Sequence, residues 1–149
     1  MHAHHYALGT TVGEALLTPT RIYTRAVRAL RESLGESLHA LCHVTGGGVP
    51  ENLPRVLPDG VAARIDGARP WPARFRVIAE GGPVELDEMR RPFNLGIGLI
   101  AVVDPTRAED ALAALRAAGE DAWRLGSLEP EANAKPHVRY VGDPEEVHR

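Results

Sequence analysis

Gly96-Ile97-Gly98-Leu99-Ile100-Ala101-Val102-Val103 is the strongest strand signal in the chain, and Pro105 through Ala118 behind it is a strong helix. The first run is almost continuously apolar, the pattern of a strand covered on both faces rather than wetted on one. The second opens on proline, repeats apolar side chains at Ala108, Leu112 and Leu115, and stops at Gly119, a residue suited to a left-handed helix end. A further strand is expected over Ala122 to Leu128, so Ile97 to Leu128 reads as a strand–helix–strand crossover. Whether its two strands pair with each other is left open by the sequence.

Outward from that unit, His137 to Val141 is another strand, Glu85 to Arg91 a short helix, and Val61 to Asp66 a strand. The Pro/Trp-rich segment Arg69 to Pro72 leads into a short helix through Phe75 and Ile78. Val49 to Leu57 resembles a short helix closed by Pro58. Leu38 to Val44 is a short apolar stretch running into three glycines, Gly46 to Gly48, which cannot sit cheaply inside a helix. Further upstream, Thr18-Pro19 offers a cap and a first helical residue, and Tyr23, Val27, Leu30 and Leu34 recur at helical spacing, so a helix is expected over about 19–34. Arg21, Arg25, Arg28 and Arg31 fall on its other side and read as a solvated face. The order predicts an α+β fold, a mixed β-sheet flanked by helices, over residues 14–142. Residues 1–13 read as a flexible arm, a linker stub or a tag remnant, and 143–149 as a tail.

The chain has 149 residues, 44% of them hydrophobic and 25% charged, enough for one domain with a core. No apolar run approaches the roughly 20 residues of a membrane span, and the start resembles no secretory signal. The default expectation is therefore a cytoplasmic protein without a membrane partner. Residues 1–79 carry 9 Arg against 6 acids, and residues 80–149 carry 8 basic residues against 14 acids. That modest positive excess suits a phosphorylated small molecule and is too weak for a nucleic-acid surface. The lone Cys42 reads first as a buried, inert thiol. His2, His4 and His5 could bind metal in vitro, but no metal site is expected of them.

Two segments carry the candidate chemistry. In His43-Val44-Thr45-Gly46-Gly47-Gly48-Val49-Pro50-Glu51-Asn52, a glycine run entering a helix exposes backbone N–H groups to an anion, while His43 and Thr45 add an imidazole and a hydroxyl. A turn needing only positive φ angles is the competing reading. In Arg90-Arg91-Pro92-Phe93-Asn94-Leu95-Gly96-Ile97-Gly98, two guanidinium groups and an amide stand beside a glycine-spaced strand entry.

These motifs, together with Leu16-Leu17-Thr18-Pro19-Thr20-Arg21-Ile22-Tyr23, Pro50-Glu51-Asn52-Leu53-Pro54-Arg55-Val56-Leu57-Pro58, Asp87-Glu88-Met89, Trp71-Pro72 and Gly119-Glu120-Asp121-Ala122-Trp123, resemble the carboxy-terminal domain of the aminoimidazole ribonucleotide synthetases, the phosphoribosylformylglycinamidine cyclo-ligases, in the family's order. Arg90 and Pro92 depart from it, standing where the family has tyrosine and threonine. The joint presence of the His43–Gly48 and Phe93–Gly98 motifs argues against sister families such as the selenophosphate synthetases.

The resemblance implies ATP-dependent closure of formylglycinamidine ribonucleotide to aminoimidazole ribonucleotide in purine biosynthesis. The formamide oxygen is phosphorylated, the amidine nitrogen attacks, and phosphate leaves. It implies His43 as the catalytic candidate and Thr45, Gly46, Gly47, Gly48, Asn52, Arg91 and Asn94 as substrate-binding candidates. ATP and Mg2+ would be held mainly by a preceding ATP-binding domain, so the expected partners are that domain and the phosphorylated substrate, with a homo-oligomer left open. Alone, the chain is expected to be inactive; the alternative is a stand-alone, non-catalytic binding or assembly module.

Overall fold

A computed structural model describes residues 4–82 and 84–144 of the chain. His4–His5 (β1) pairs antiparallel with Thr10–Thr11 (β2), and Val12–Leu16 (α1) follows. This local order lies within residues 1–13, where sequence suggests a flexible arm, linker stub or tag remnant; residues 1–3 lie outside the described residues. A capping box explains it: the Thr11 side chain accepts from the Glu14 N–H at 3.2 Å, and the Glu14 carboxylate accepts from the Thr11 N–H at 3.1 Å. Capping of this kind leaves no mark on hydrophobic periodicity.

The first long helix, Thr24–Leu34 (α2), buries Leu30 and Leu34 of the expected repeat together with Ala26, leaves Val27 half-buried, and starts later than Pro19. Residues 18–23 run instead along a groove, where Arg21 pairs with Glu120 at 2.7 Å and Tyr23 packs against His43. A cap contributes about 1 kcal/mol. An exposed ion pair adds up to about 1 kcal/mol and an aromatic contact about 0.5–1.5 kcal/mol, so the tertiary contacts match or exceed it.

Leu38–His43, marked by sequence only as apolar, is a strand (β3). Gly48–Asn52 (α3) continues into a 3-10 turn over Leu53–Val56, and Val61–Asp66 (β4), Ala73–Gly81 (α4) and Leu86–Arg90 (α5) stand where sequence placed them. The decisive pair is Leu99–Val103 (β5) and Ala108–Ala117 (α6), the latter entered through a turn in which Asp104 accepts from the Thr106 N–H at 2.8 Å. Gly126–Pro130 (β6) begins later than expected, and His137–Val141 (β7) matches its expected span.

The strands form two main sheets. β3 and β5 pair antiparallel; β6, β4 and β7 form a mixed sheet with β4 antiparallel to β6 and parallel to β7. The crossover β5–α6–β6 thus links different sheets, and its strands do not pair. Alternate residues of β5 enter different layers, as a strand covered on both faces must. Ile100 and Val102 join Cys42, Val49, Leu53, Ala63 and Ile65, while Ala101 and Val103 pack against Leu30, Leu34 and Ala111 of the helices. A third cluster around Trp71, Phe75, Met89 and Leu95 anchors α4 and α5. Beyond β7, Asp143 pairs with Arg90 at 3.0 Å and Pro144 is fully buried, so the expected tail begins inside the packed body; residues 145–149 lie outside the described residues.

Candidate functional site

His43 closes β3 and stands exposed on a groove of about 1220 Å³. Its ring meets that of Tyr23 edge-on, with centroids 5.9 Å apart and planes at 68°. Burial pushes the Tyr23 phenol above its ordinary pKa, with Arg21 pulling more weakly the other way. Gly98 is the third member. A β-carbon there would collide with the Tyr23 hydroxyl, and the Gly98 carbonyl accepts from the Val44 N–H at 2.9 Å, tying the strand entry to the end of β3. Neither Tyr23 nor Arg21 is a candidate from sequence, because helical spacing places both within a helix that does not form there. Their place inside the Thr18–Tyr23 motif was the available signal.

The glycine loop lies next to His43 but outside the groove. Gly47, at φ +93°, and Gly48, at φ +58°, need left-handed backbone. Gly48 needs glycine for a second reason: a β-carbon would strike the carbonyl oxygens of Arg90 and Phe93. This contact brings the two candidate segments together. Asn52 is buried beneath the loop, where its amide donates to the carbonyls of Gly46 at 3.1 Å and Gly48 at 2.7 Å, and its oxygen accepts from the Thr45 hydroxyl at 3.3 Å. Both ends of its amide are thereby engaged within the loop, a positioning role.

On the exposed side, Gly46 has open space around its α-carbon. Among the described residues, the N–H groups of Gly46 and Gly47 have no hydrogen-bond acceptor, while that of Gly48 is taken by the Thr45 carbonyl at 3.1 Å. Two features weaken an anion site built on them. α3 is a helix of only 5 residues, with little dipole to offer, and the Glu51 carboxylate stands in the space that a β-carbon on Gly47 would take.

The arginine pair divides. Arg91 is exposed and pairs with Glu88 at 3.1 Å, so it is not brought to the groove or the glycine loop. Arg90 is buried, paired with Asp87 at 3.1 Å and Asp143 at 3.0 Å, and its guanidinium lies 4.1 Å from the centroid of the Tyr140 ring. Arg90 therefore serves as an internal clamp. Burial drives the Tyr140 phenol up to about 12. Asn94 lines the groove and accepts from the Gly96 N–H at 3.0 Å, shaping the turn whose Gly96, at φ +95°, packs under the Pro72 ring. Cys42 is buried within the core, and burial raises its pKa, the environment of an unreactive thiol.

Among the described residues, no three His, Cys, Asp or Glu side chains gather where they could hold a metal ion, and no helix is long and apolar enough to cross a membrane. His4 and His5 are described, whereas His2 lies outside the described residues.

The family model described as AIR synthase related protein, C-terminal domain, matches residues 2–139, a span that takes in the capped amino-terminal segment. The phosphoribosylformylglycinamidine cyclo-ligase of Sorangium cellulosum (strain So ce56) is 58% identical over 122 residues, 81% of this chain and 35% of the relative. The enzyme of the same name from Anaeromyxobacter sp. (strain Fw109-5) is 51% identical over the same length and shares of each chain. The chain thus spans about a third of the length of these relatives.

Proposed function

The chain belongs to the family of the AIR synthase related protein, C-terminal domain, and we propose that it serves as that domain of a purine-biosynthetic cyclo-ligase, forming one wall of the cleft where formylglycinamidine ribonucleotide is closed to aminoimidazole ribonucleotide. The observation that carries this reading is the seating of Gly48 against Arg90 and Phe93, which assembles the glycine loop, the Phe93–Gly98 turn and His43 from segments far apart in sequence.

In this reading the exposed N–H groups of Gly46 and Gly47 bind a phosphate of substrate or nucleotide, and Asn52 holds the loop in shape for it. The imidazole of His43, positioned by Tyr23, polarises the reacting amide or orients the phosphate. Catalysis of this kind is chiefly positioning and charge stabilisation. The described residues do not fit magnesium-ATP, because no carboxylate cluster is present among them. That ligand is assigned to the part of the enzyme outside the chain.

The test is reconstitution: this chain is mixed with the remainder of the Sorangium relative, and ADP release from ATP is followed with formylglycinamidine ribonucleotide. Turnover that neither piece shows alone, lost in His43→Ala, is the expected result. Failure to reconstitute, together with unshifted Gly46 and Gly47 amides in tens of millimolar phosphate, would favour the non-catalytic module instead.

A further inference from the structure

The groove beside His43 borders the backbone edges of two strands that belong to different sheets. Hydrogen bonds from the Val44 N–H to the Gly98 carbonyl and from the Asp104 N–H to the Ser37 carbonyl set the phase of the β3–β5 ladder. By alternation, Ile100 and Val102 bond to β3, and the N–H and C=O groups of Leu99, Ala101 and Val103 point away from it. The bond from the Asp66 N–H to the Leu125 carbonyl does the same for β4–β6, leaving Gly126 and Leu128 pointing away from β4. Each outward edge has no strand partner among the described residues. All five residues of β5 line the groove, and so do Leu125 to Leu128. A sheet face would contribute alternate residues; unbroken runs mark strand edges.

We propose that this groove is a slot for one β-strand, supplied by the part of the cyclo-ligase that this chain does not span, which would join the two sheets into one. Three observations support it. Both sheets already share one apolar layer, in which Cys42 and Ile100 of the first touch the cluster of Ala63 and Ile65 of the second, as two halves of an interrupted sheet would. The β5 edge carries no charge, proline or bulge of its own, the devices that protect a permanently free edge. The chain spans 35% of each relative, so ample polypeptide lies outside it.

The slot also defines its occupant. Ile100 and Ile65 floor one side and the layer of Ala101, Val103 and α6 the other, so the entering strand is apolar on both faces, free of proline and about five residues long. A second copy fits less well, because its own β5 is backed by α2 and α6 and could meet only one of the two edges. The inference rests on family membership and is independent of the reaction proposed above.

Overlapping synthetic peptides tiling the unmatched part of the Sorangium relative, titrated into dilute isotope-labelled chain, test it without any turnover assay. One contiguous window is expected to bind and to slow amide exchange at Leu99, Ala101, Val103, Gly126 and Leu128 at least about tenfold. Ala101→Pro and, on the other edge, Leu128→Pro each remove an outward N–H without touching an existing ladder bond, and each should abolish that binding. If no window binds up to about 1 mM, or if those amides are protected only as the chain concentration rises, the slot does not take this strand and the proposal falls.

Discussion

The hydroxyl of Tyr23 occupies the space that a β-carbon on Gly98 would need, so the glycine sets how closely Tyr23 approaches the His43 ring. The obstacle is the far end of one side chain, which can swing aside. Gly98→Ala should therefore cost less than about 1 kcal/mol of stability while displacing Tyr23 from His43. The His43 ring proton shifts should move in this variant, and thermal unfolding should barely change. A large loss of stability with unmoved His43 resonances would contradict that division of roles.

Asn52→Ala removes the donor that binds the Gly46 and Gly48 carbonyls, in a buried position. The expected cost is about 1–3 kcal/mol, read by urea unfolding, since the buried Gly48 carbonyl loses its partner. The Thr45–Gly48 amides should exchange faster in the same variant.

Glu51 opposes anion binding at the glycine loop. Its carboxylate lies beside Gly47, where a β-carbon would stand, and a single charge near a helix end contributes about 0.3–1 kcal/mol, so Glu51→Gln should tighten phosphate binding about two- to fivefold in an NMR titration. Equal affinities would place the phosphate elsewhere. Gly46→Ala, with open space and no positive φ, is the benign loop control; Gly47→Val combines φ +93° with a clash and would confound binding with strain.

The Tyr140 phenol, raised from 10.0 to about 12 by burial, makes stability depend on alkaline pH. The folded state holds this proton more tightly than the unfolded chain, so the stabilisation is complete below about pH 10 and is lost as pH rises toward 12. The loss amounts to about 2 kcal/mol. Urea midpoints should fall across that window, and Tyr140→Phe should flatten the contribution.

Leu17 and Ile22 are 78% and 82% exposed on the segment bordering the groove. Isolated chain should self-associate through such apolar surface, and Leu17→Glu with Ile22→Glu should return it to monomer in sedimentation experiments. A wild-type monomer at high concentration would contradict this.

The amino-acid sequence by itself determined most of the central local elements and the family. The β5 run, the α6 repeat ending at Gly119 and the ordered glycine motifs are encoded in neighbouring residues, where periodicity and backbone preference act over one or two turns. It also marked His43 and the glycine run. What only the tertiary structure decided was how distant residues share space. The segment of Arg21 and Tyr23 left its expected helix because distant residues offered it contacts, Glu120 to Arg21 and His43 to Tyr23. Arg90 became a buried clamp while Arg91, adjacent and chemically identical, stayed in solvent, because α5 turns only one of them toward Tyr140 and Asp143. Strand pairing was equally illegible, since it depends on which edges meet across the fold: β5 found β3 rather than β6, and a slot remained between the sheets.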